Sequence, residues 1–197
     1  MGEKGEKTKK RICMAAYKLF AEKGYKDVTM KDICEQTGLS RGGLYRHYTG
    51  TEQIFLEIVT ALMDNQENEF KEKIGRHIPA AKILEDVLSR YEGEMIDSSH
   101  SLSLAIYEFF SNGSISASEN SISRQYQKSR DMWVELIDYG IKTKEFQETD
   151  PEAVFDLIVF SYQGVRMYSK LMPIDEKIPK RIVDTVKHLL LIEQKGE

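Results

Sequence analysis

The chain has 197 residues, of which 41% are hydrophobic and 30% are charged, and its formal net charge is −4. No segment approaches the roughly 18 consecutive apolar residues of a membrane-spanning helix, and the polar N-terminus is unlike a signal peptide, so we expect a cytoplasmic protein that does not enter a membrane. The two cysteines, Cys13 and Cys34, form no C-x-x-C pair, which argues against a disulfide framework and against a thiolate zinc site.

The charges are distributed unevenly along the chain. Residues 1–50 contain 11 Lys and Arg against 6 Asp and Glu, whereas residues 51–197 contain 17 against 26. A basic N-terminal segment is typical of proteins that bind a polyanion, although an imbalance of this kind is also found in ordinary chains. A motif is therefore needed to decide whether this segment binds nucleic acid.

Apolar residues recur at helical spacing along the whole chain, which predicts an all-α fold. The first helix is expected over 9–23, and Gly24 follows it as a C-terminal cap. Thr29 then stands three residues before Asp32, the spacing of a capping box, and opens a short second helix that runs to about residue 36.

A break follows at 37–39, where Gly38 can take the positive φ angle of a tight interhelical turn. Ser40 offers a hydroxyl that caps a third helix, which we expect to end near Tyr48. These are the parts of a helix-turn-helix, whose last helix enters the major groove of DNA. Helix pairs with glycine turns also occur in proteins that bind no DNA.

Amphipathic helices follow the third helix to the end of the chain. They are expected over about 52–75, 79–95, 102–110, 119–146, 151–171 and from Pro179 to 192, which gives about nine helices in total.

Within the first quarter of the chain, many residues have a characteristic type and spacing. They are Ala16, Leu19-Phe20, Gly24-Tyr25, Thr29, Ile33, Gly38-Leu39-Ser40, Gly42, Leu44-Tyr45, His47-Tyr48 and Ile54-Phe55. This set resembles the TetR family of transcriptional regulators, with which the later helices agree only in number, length and order. The resemblance implies a helix-turn-helix DNA-binding domain over residues 1–51 and a larger helical ligand-binding and dimerisation bundle over residues 52–197.

In this family the third helix reads the bases of operator DNA. Arg41, at its exposed N-terminal end, is the expected base contact, because a guanidinium bonds guanine O6 and N7 bidentately. Gly42 and Gly43 are poor helix formers, which favours a close approach to DNA, although a short helix also tolerates them. With Ser40 they leave the N–H groups of the helix N-terminus available to phosphates or base edges.

The resemblance assigns backbone phosphates to Thr29, Tyr45 and His47, and Arg46 suits either a base or a phosphate. By the same comparison, Leu44 and Tyr48 point into the core, Tyr48 standing where phenylalanine is usual.

Thr51 stands where the family usually has a phosphate-binding lysine. A hydroxyl still bonds a phosphate, but the lost charge lowers the salt slope of binding by roughly 0.9 per contact. Lys9, Lys10 and Arg11 are candidates to compensate.

The C-terminal part is rich in aromatic residues and methionine, which supply an apolar wall with a few polar groups around a ligand. We expect an apolar or aromatic small-molecule effector, a cationic one being compatible too. Phe109, Trp133 and Tyr162 are the residues expected to line its site.

The last two helices carry apolar residues on more than one side, which suits a two-fold four-helix interface. A homodimer also places two modules on half-sites about 34–36 Å apart, or a multiple of that. The expected mechanism is a dimeric repressor that leaves its operator when an effector changes the spacing of the recognition helices.

Other classes of protein have weaker support in the sequence. We expect no enzyme, cofactor or metal, because the chain lacks a Walker loop, a nucleophile elbow, a dinucleotide fingerprint and paired Glu-x-x-His motifs, with Asp97 and His100 the one near miss. Oxidation of Cys13 or Cys34 is a further hypothesis.

The main alternative is a helical ligand-binding or interaction protein whose helix-turn-helix no longer binds DNA specifically. The sequence does not distinguish repression from activation.

Overall fold

The computed structural model describes residues 3–64, 69–97, 101–111 and 121–192. Their helices are α1 (Glu3–Lys23), α2 (Met30–Thr37), α3 (Arg41–Tyr45), α4 (Thr51–Asp64), α5 (Glu69–Gly75), α6 (Ala80–Ile96), α7 (Ser103–Phe110), α8 (Ser121–Lys142), α9 (Pro151–Tyr168) and α10 (Lys177–Leu190). The all-α fold is confirmed, with ten helices in the described ranges rather than about nine. None of these helices is long and apolar enough to cross a membrane.

The apolar periodicity predicts one helix over 52–75. The described residues there form two helical segments, α4 and α5, on either side of residues 65–68, which lie outside the described ranges, and the two segments contribute to different cores. Ile54 and Phe55 of α4 are buried in one core, whereas Phe70 of α5 is buried in the other. A periodicity that is continuous in sequence does not reveal that its two halves pack against different partners.

The chain folds into two compact units. The first comprises α1–α4 together with α7, and the second comprises α5, α6 and α8–α10. The unit that contains the helix-turn-helix therefore extends beyond residue 51. The division into functional domains at residue 51 remains a prediction.

The core of the first unit is formed where α1, α2 and α4 pack around the short α3. Ile12, Phe20 and Ile33 are fully buried there, and Leu44 of α3 and Tyr48 reach into the same core, as the sequence predicts. Because α3 has only five residues, its position depends on these two buried side chains and on its caps.

The second unit is a bundle whose core is lined by α6, α8, α9 and α10. Phe146, which follows α8, forms an isolated antiparallel β-bridge with Leu191, which follows α10. A Cβ atom at Gly140 would lie 2.3 Å from the Phe146 ring, so this approach requires glycine. The ends of α8 and α10 are thereby held together.

Candidate nucleic-acid interface

The start of α2 is fixed by the predicted capping box. The Thr29 hydroxyl oxygen accepts the Asp32 N–H at 3.2 Å, and the Asp32 carboxylate accepts the Thr29 N–H at 2.9 Å and also the Thr29 hydroxyl. Hydrogen bonds from Thr29, and then the Lys23 ammonium 3.0 Å away, hold the pKa of Asp32 well below its ordinary value. A phosphate at Thr29 therefore has to compete with this cap.

The turn between α2 and α3 forms as the sequence predicts. Gly38 has a φ angle of +67°, and the Thr37 hydroxyl donates to the carbonyl of Ile33 at 2.7 Å. Ser40 caps α3 by accepting the Gly43 N–H at 3.1 Å. That N–H is consequently engaged within the protein, so fewer helix N–H groups are free than the sequence suggests.

The outer face of α3 is basic and aromatic. Arg41 and Arg46 are exposed, Tyr45 is 43% exposed, and the Arg41 guanidinium lies 5.7 Å from the centre of the Tyr45 ring. A Cβ atom at Gly42 would meet no atom within 4 Å. The face therefore combines two cations and an aromatic ring with a stretch of bare backbone.

His47 and Thr51 lie beside this face but are partly buried. The Nδ1 atom of His47 is buried and makes no hydrogen bond within the described part of the chain. Thr51 is the first residue of α4. Both residues lie where the resemblance predicts, and their contacts with DNA remain predictions.

A polar cluster inside the first unit was not foreseen from the sequence. The Tyr48 hydroxyl donates to Glu57 Oε1 at 3.0 Å and lies 3.2 Å from the Cys13 sulfur, while Lys9 Nζ lies 3.3 Å from Glu57 Oε2. Burial is the largest cause that raises the pKa of both Tyr48 and the Cys13 thiol. Cys13 thus stays a thiol, and the charge of Lys9 is paired, which leaves the exposed Lys10 and Arg11 as the better candidates to replace the missing lysine.

The second unit encloses a narrow cavity of about 10 Å³. It lies between α6, α9 and α10, and its walls include Leu88, Tyr91, Ile158, Tyr162 and Val186. The Tyr91 ring centre is 4.6 Å from that of Tyr162 and 6.1 Å from that of Trp133, so Trp133 lies directly behind this wall.

The structure does not bring Phe109 together with Tyr162 and Trp133. Phe109 belongs to the first unit, where its ring centre lies 4.8 Å from that of Tyr25 and 5.0 Å from that of Phe55. It is therefore part of the packing of that unit, whereas in the second unit Tyr162 lines the cavity and Trp133 lies behind its wall.

Charged groups adjoin the cavity wall. The Tyr162 hydroxyl donates to Glu94 and accepts from Arg166, and Arg90 forms a bidentate ion pair with Glu69 at 2.7 and 2.5 Å. Burial, reinforced by the Glu94 carboxylate, raises the pKa of Tyr162. The phenol is therefore neutral at physiological pH and offers one polar group to an otherwise apolar space.

Apolar side chains also reach the surface on the last two helices. The exposed ones include Leu157, Phe160 and Tyr168 of α9 and Leu189 of α10. Several of the other apolar residues on these helices, such as Phe155 and Val186, are already buried in the core of the second unit. Only the exposed set is free to contact another copy.

No group of three or more His, Cys, Asp or Glu that could hold a metal ion occurs in the described ranges. Asp97 follows α6 directly, and His100, its predicted partner in the near-miss motif, lies outside the described residues.

Comparison with known proteins supports the family suggested by the helix-turn-helix. Residues 12–58 match the family model described as "Bacterial regulatory proteins, tetR family", and residues 83–178 match "Tetracyclin repressor-like, C-terminal domain". A solved structure of a TetR transcriptional regulator from Chloroflexus aurantiacus has a TM-score of 0.77 at 20% identity, covering 97% of this chain and all of that chain.

Two curated relatives align over most of their length. The chain is 30% identical over 156 residues to the uncharacterised HTH-type transcriptional regulator YfiR of Bacillus subtilis, covering 77% of this chain and 74% of the relative. It is 27% identical over 156 residues to the HTH-type transcriptional repressor KstR2 of Rhodococcus jostii, covering 78% and 74%. The chain therefore belongs to the TetR family of bacterial transcriptional regulators.

Proposed function

We propose that this protein is a cytoplasmic homodimeric repressor that binds operator DNA through α3 and is released by a small apolar or aromatic effector. The exposed face of α3 carries this proposal. Arg41 and Tyr45 lie side by side on it, while Leu44 on the other side of the helix is fully buried. A cationic and aromatic face without acidic residues, in a chain that is acidic overall, favours DNA over a merely solvated surface.

The proposed contacts divide into two kinds. Arg41 reads a base edge, and Gly42 and Gly43 let the α3 backbone approach the groove. Register on the DNA is set by phosphate contacts from Thr29, Ser40, Tyr45, Arg46, His47 and Thr51. Because Nδ1 of His47 is buried, Nε2 is the atom that would donate to a phosphate.

Effector binding is proposed at the cavity beside Tyr162, with Trp133 behind its wall. Ligand sites usually measure at least about 300 Å³, far more than the 10 Å³ present here. An effector therefore has to separate α6, α9 and α10, and that separation is the change that favours the form with low DNA affinity. To shift the protein from 99% in the form with high DNA affinity to 99% in the form with low affinity, the effector must bind the low-affinity form more tightly by about 5.5 kcal/mol.

Dimerisation is proposed through α9 and α10. Their exposed apolar residues, including Phe160 at 65% exposure, form a surface that a second copy would cover. Such an interface supplies the two recognition helices that a two-fold operator requires.

Fluorescence anisotropy with the DNA upstream of the gene that encodes this protein tests the proposed function. Wild-type protein should bind that fragment more tightly than a scrambled one. Arg41→Ala should reduce the preference, since a bidentate base contact discriminates by about 1–3 kcal/mol, and Tyr45→Ala should weaken both complexes. Arg76→Ala and Tyr107→Ala, at exposed positions outside the helix-turn-helix, are the matched controls.

If the upstream fragment gives weak binding that is unaffected by both variants, selection from random DNA would follow. A failure to enrich any sequence would favour the alternative of a ligand-binding or interaction protein with an inactive helix-turn-helix.

A further inference from the structure

Helix α7 belongs to the first unit, although the helices on either side of it in sequence, α6 and α8, belong to the second. Leu102 and Ala105 are buried in the same core as α1 and α4. The chain segment between α6 and α8 thus contributes one helix, α7, to the core of the first unit, which contains the helix-turn-helix.

Glu108 of α7 holds the turn between α1 and α2. Its partly buried carboxylate oxygen Oε2 accepts the backbone N–H of Tyr25 at 2.7 Å and that of Lys26 at 3.1 Å. Hydrogen bonds to an ionised acceptor are about twice as strong as neutral ones. Gly24, with a φ angle of +82°, makes the approach possible, because a Cβ atom there would lie 2.6 Å from the same oxygen.

The turn is also connected to α4 and leads into α2. Phe109, next to Glu108, packs edge-on against the Tyr25 ring, which lies 5.0 Å from Phe55 of α4. Lys26 is three residues before Thr29, the N-cap of α2. Helix α7 therefore contacts the turn that leads into α2 and, through the Tyr25 ring, is connected to α4. These two elements precede and follow the recognition helix α3 in the chain.

We infer that Glu108 is the positioning residue that couples α7 to the helix-turn-helix. When an effector moves α7, Glu108 releases the N–H groups of Tyr25 and Lys26, and operator affinity falls. This inference rests on the proposed function and specifies how the DNA site is regulated. Coupling is reciprocal, so operator binding must in turn hold α7 in place. That consequence can be measured without knowing the effector.

The experiment is amide hydrogen exchange of the full-length protein, alone and with the DNA fragment that it binds. In the wild type we expect DNA to slow exchange in α7 by at least about fivefold, the lower end of typical coupling. In Glu108→Ala the fragment should bind at least about fivefold more weakly, exchange at Tyr25 and Lys26 should accelerate, and DNA should no longer protect α7.

Two further variants make the result specific. Glu108→Gln keeps a carbonyl oxygen at the same place but loses the charge, so it should retain part of the protection. Glu22→Ala removes the same charge from an exposed position on α1 and should behave as the wild type. If Glu108→Ala does not fold, Glu108→Gln decides, and protection equal to the wild type then overturns the inference.

The outcomes separate this inference from the proposed function. Loss of α7 protection in Glu108→Ala and a partial loss in Glu108→Gln, with normal protection in Glu22→Ala, support it. Specific DNA binding that leaves α7 unprotected, or protection that persists in Glu108→Ala, overturns the inference and leaves the proposed function standing. Wild-type binding without sequence preference overturns both.

Discussion

Thr51 opens α4 at the position where the TetR family usually carries a lysine. The substitution Thr51→Lys should tighten operator binding and steepen its salt dependence, because one more neutralised phosphate adds about 0.9 to the slope of log affinity against log salt. Anisotropy titrations at several salt concentrations measure that slope.

The control for Thr51→Lys is Thr60→Lys, which adds the same charge to an exposed position about 13 Å further along α4. An equal change of slope in both variants would show that the effect is one of net charge and not of a contact at residue 51.

His77 follows α5 in the left-handed conformation, with a φ angle of 56°. Its N–H bonds the carbonyl of Ile74, and the next N–H bonds that of Lys73, the pattern of a Schellman cap. A residue other than glycine in the left-handed conformation destabilises the folded state by roughly 1–2 kcal/mol, and His77→Gly removes this cost. Glycine also gives the unfolded chain more conformational entropy, which cancels part of the gain, so the substitution should raise the free energy of unfolding by about 0.5–1 kcal/mol.

Urea denaturation measures the effect of His77→Gly, and Arg76→Gly is the control. Arg76 precedes His77 without a positive φ angle, so glycine there should destabilise the protein. If His77→Gly is less stable than the wild type, the His77 side chain stabilises the folded state by more than its left-handed backbone destabilises it.

At the scale of helices, the effector site depends on whether α6, α9 and α10 can separate. Trp133 is the only tryptophan, and its ring centre lies 6.1 Å from that of Tyr91 in the cavity wall. A compound from an aromatic fragment library that enters the cavity should change Trp133 fluorescence. Tyr162→Phe should weaken its binding by about 1 kcal/mol where the hydroxyl is used.

Tyr168→Phe, on the exposed part of α9, is the matched control for Tyr162→Phe. A compound that releases the protein from DNA without altering Trp133 fluorescence, and that is indifferent to Tyr162→Phe, would bind elsewhere. The open groove of about 350 Å³ beside Lys82, Leu84 and Lys187 would be the next site to examine.

Helices were predictable where local chemistry decides their ends. The cap at Thr29, the left-handed Gly38 and the cap at Ser40 each follow from a few neighbouring residues and are confirmed. Long-range packing was not predictable. Both the buried and the exposed faces of α9 carry apolar residues, so periodicity alone did not separate core residues such as Phe155 from surface residues such as Phe160.

At the scale of the whole molecule, the proposed function requires two copies of the chain. Phe160→Glu places a charge in the proposed interface, where an unpaired charge is strongly unfavourable, so it should yield monomers in sedimentation velocity and lose most operator affinity. Met14→Glu, at an exposed apolar residue of α1, should remain dimeric. A dimeric Phe160→Glu variant would place the interface on another surface.

The hydrogen bonds between Glu108 and the α1–α2 turn could not be predicted from the sequence. The carboxylate and the Tyr25 N–H are 83 residues apart, and no local pattern marks either as a partner of the other. The family resemblance identified the DNA-binding helices, whereas this contact is visible only once α7 is seen to pack in the first unit.

The central claim is that a dimer of this chain recognises a specific two-fold DNA sequence through α3. Selection from a random DNA library with the wild-type protein tests it most directly. We expect an enriched motif of two inverted half-sites whose centres lie about 10–10.5 base pairs apart, or a multiple of that. Recovery of unrelated sequences, with binding that depends on salt alone, would contradict it.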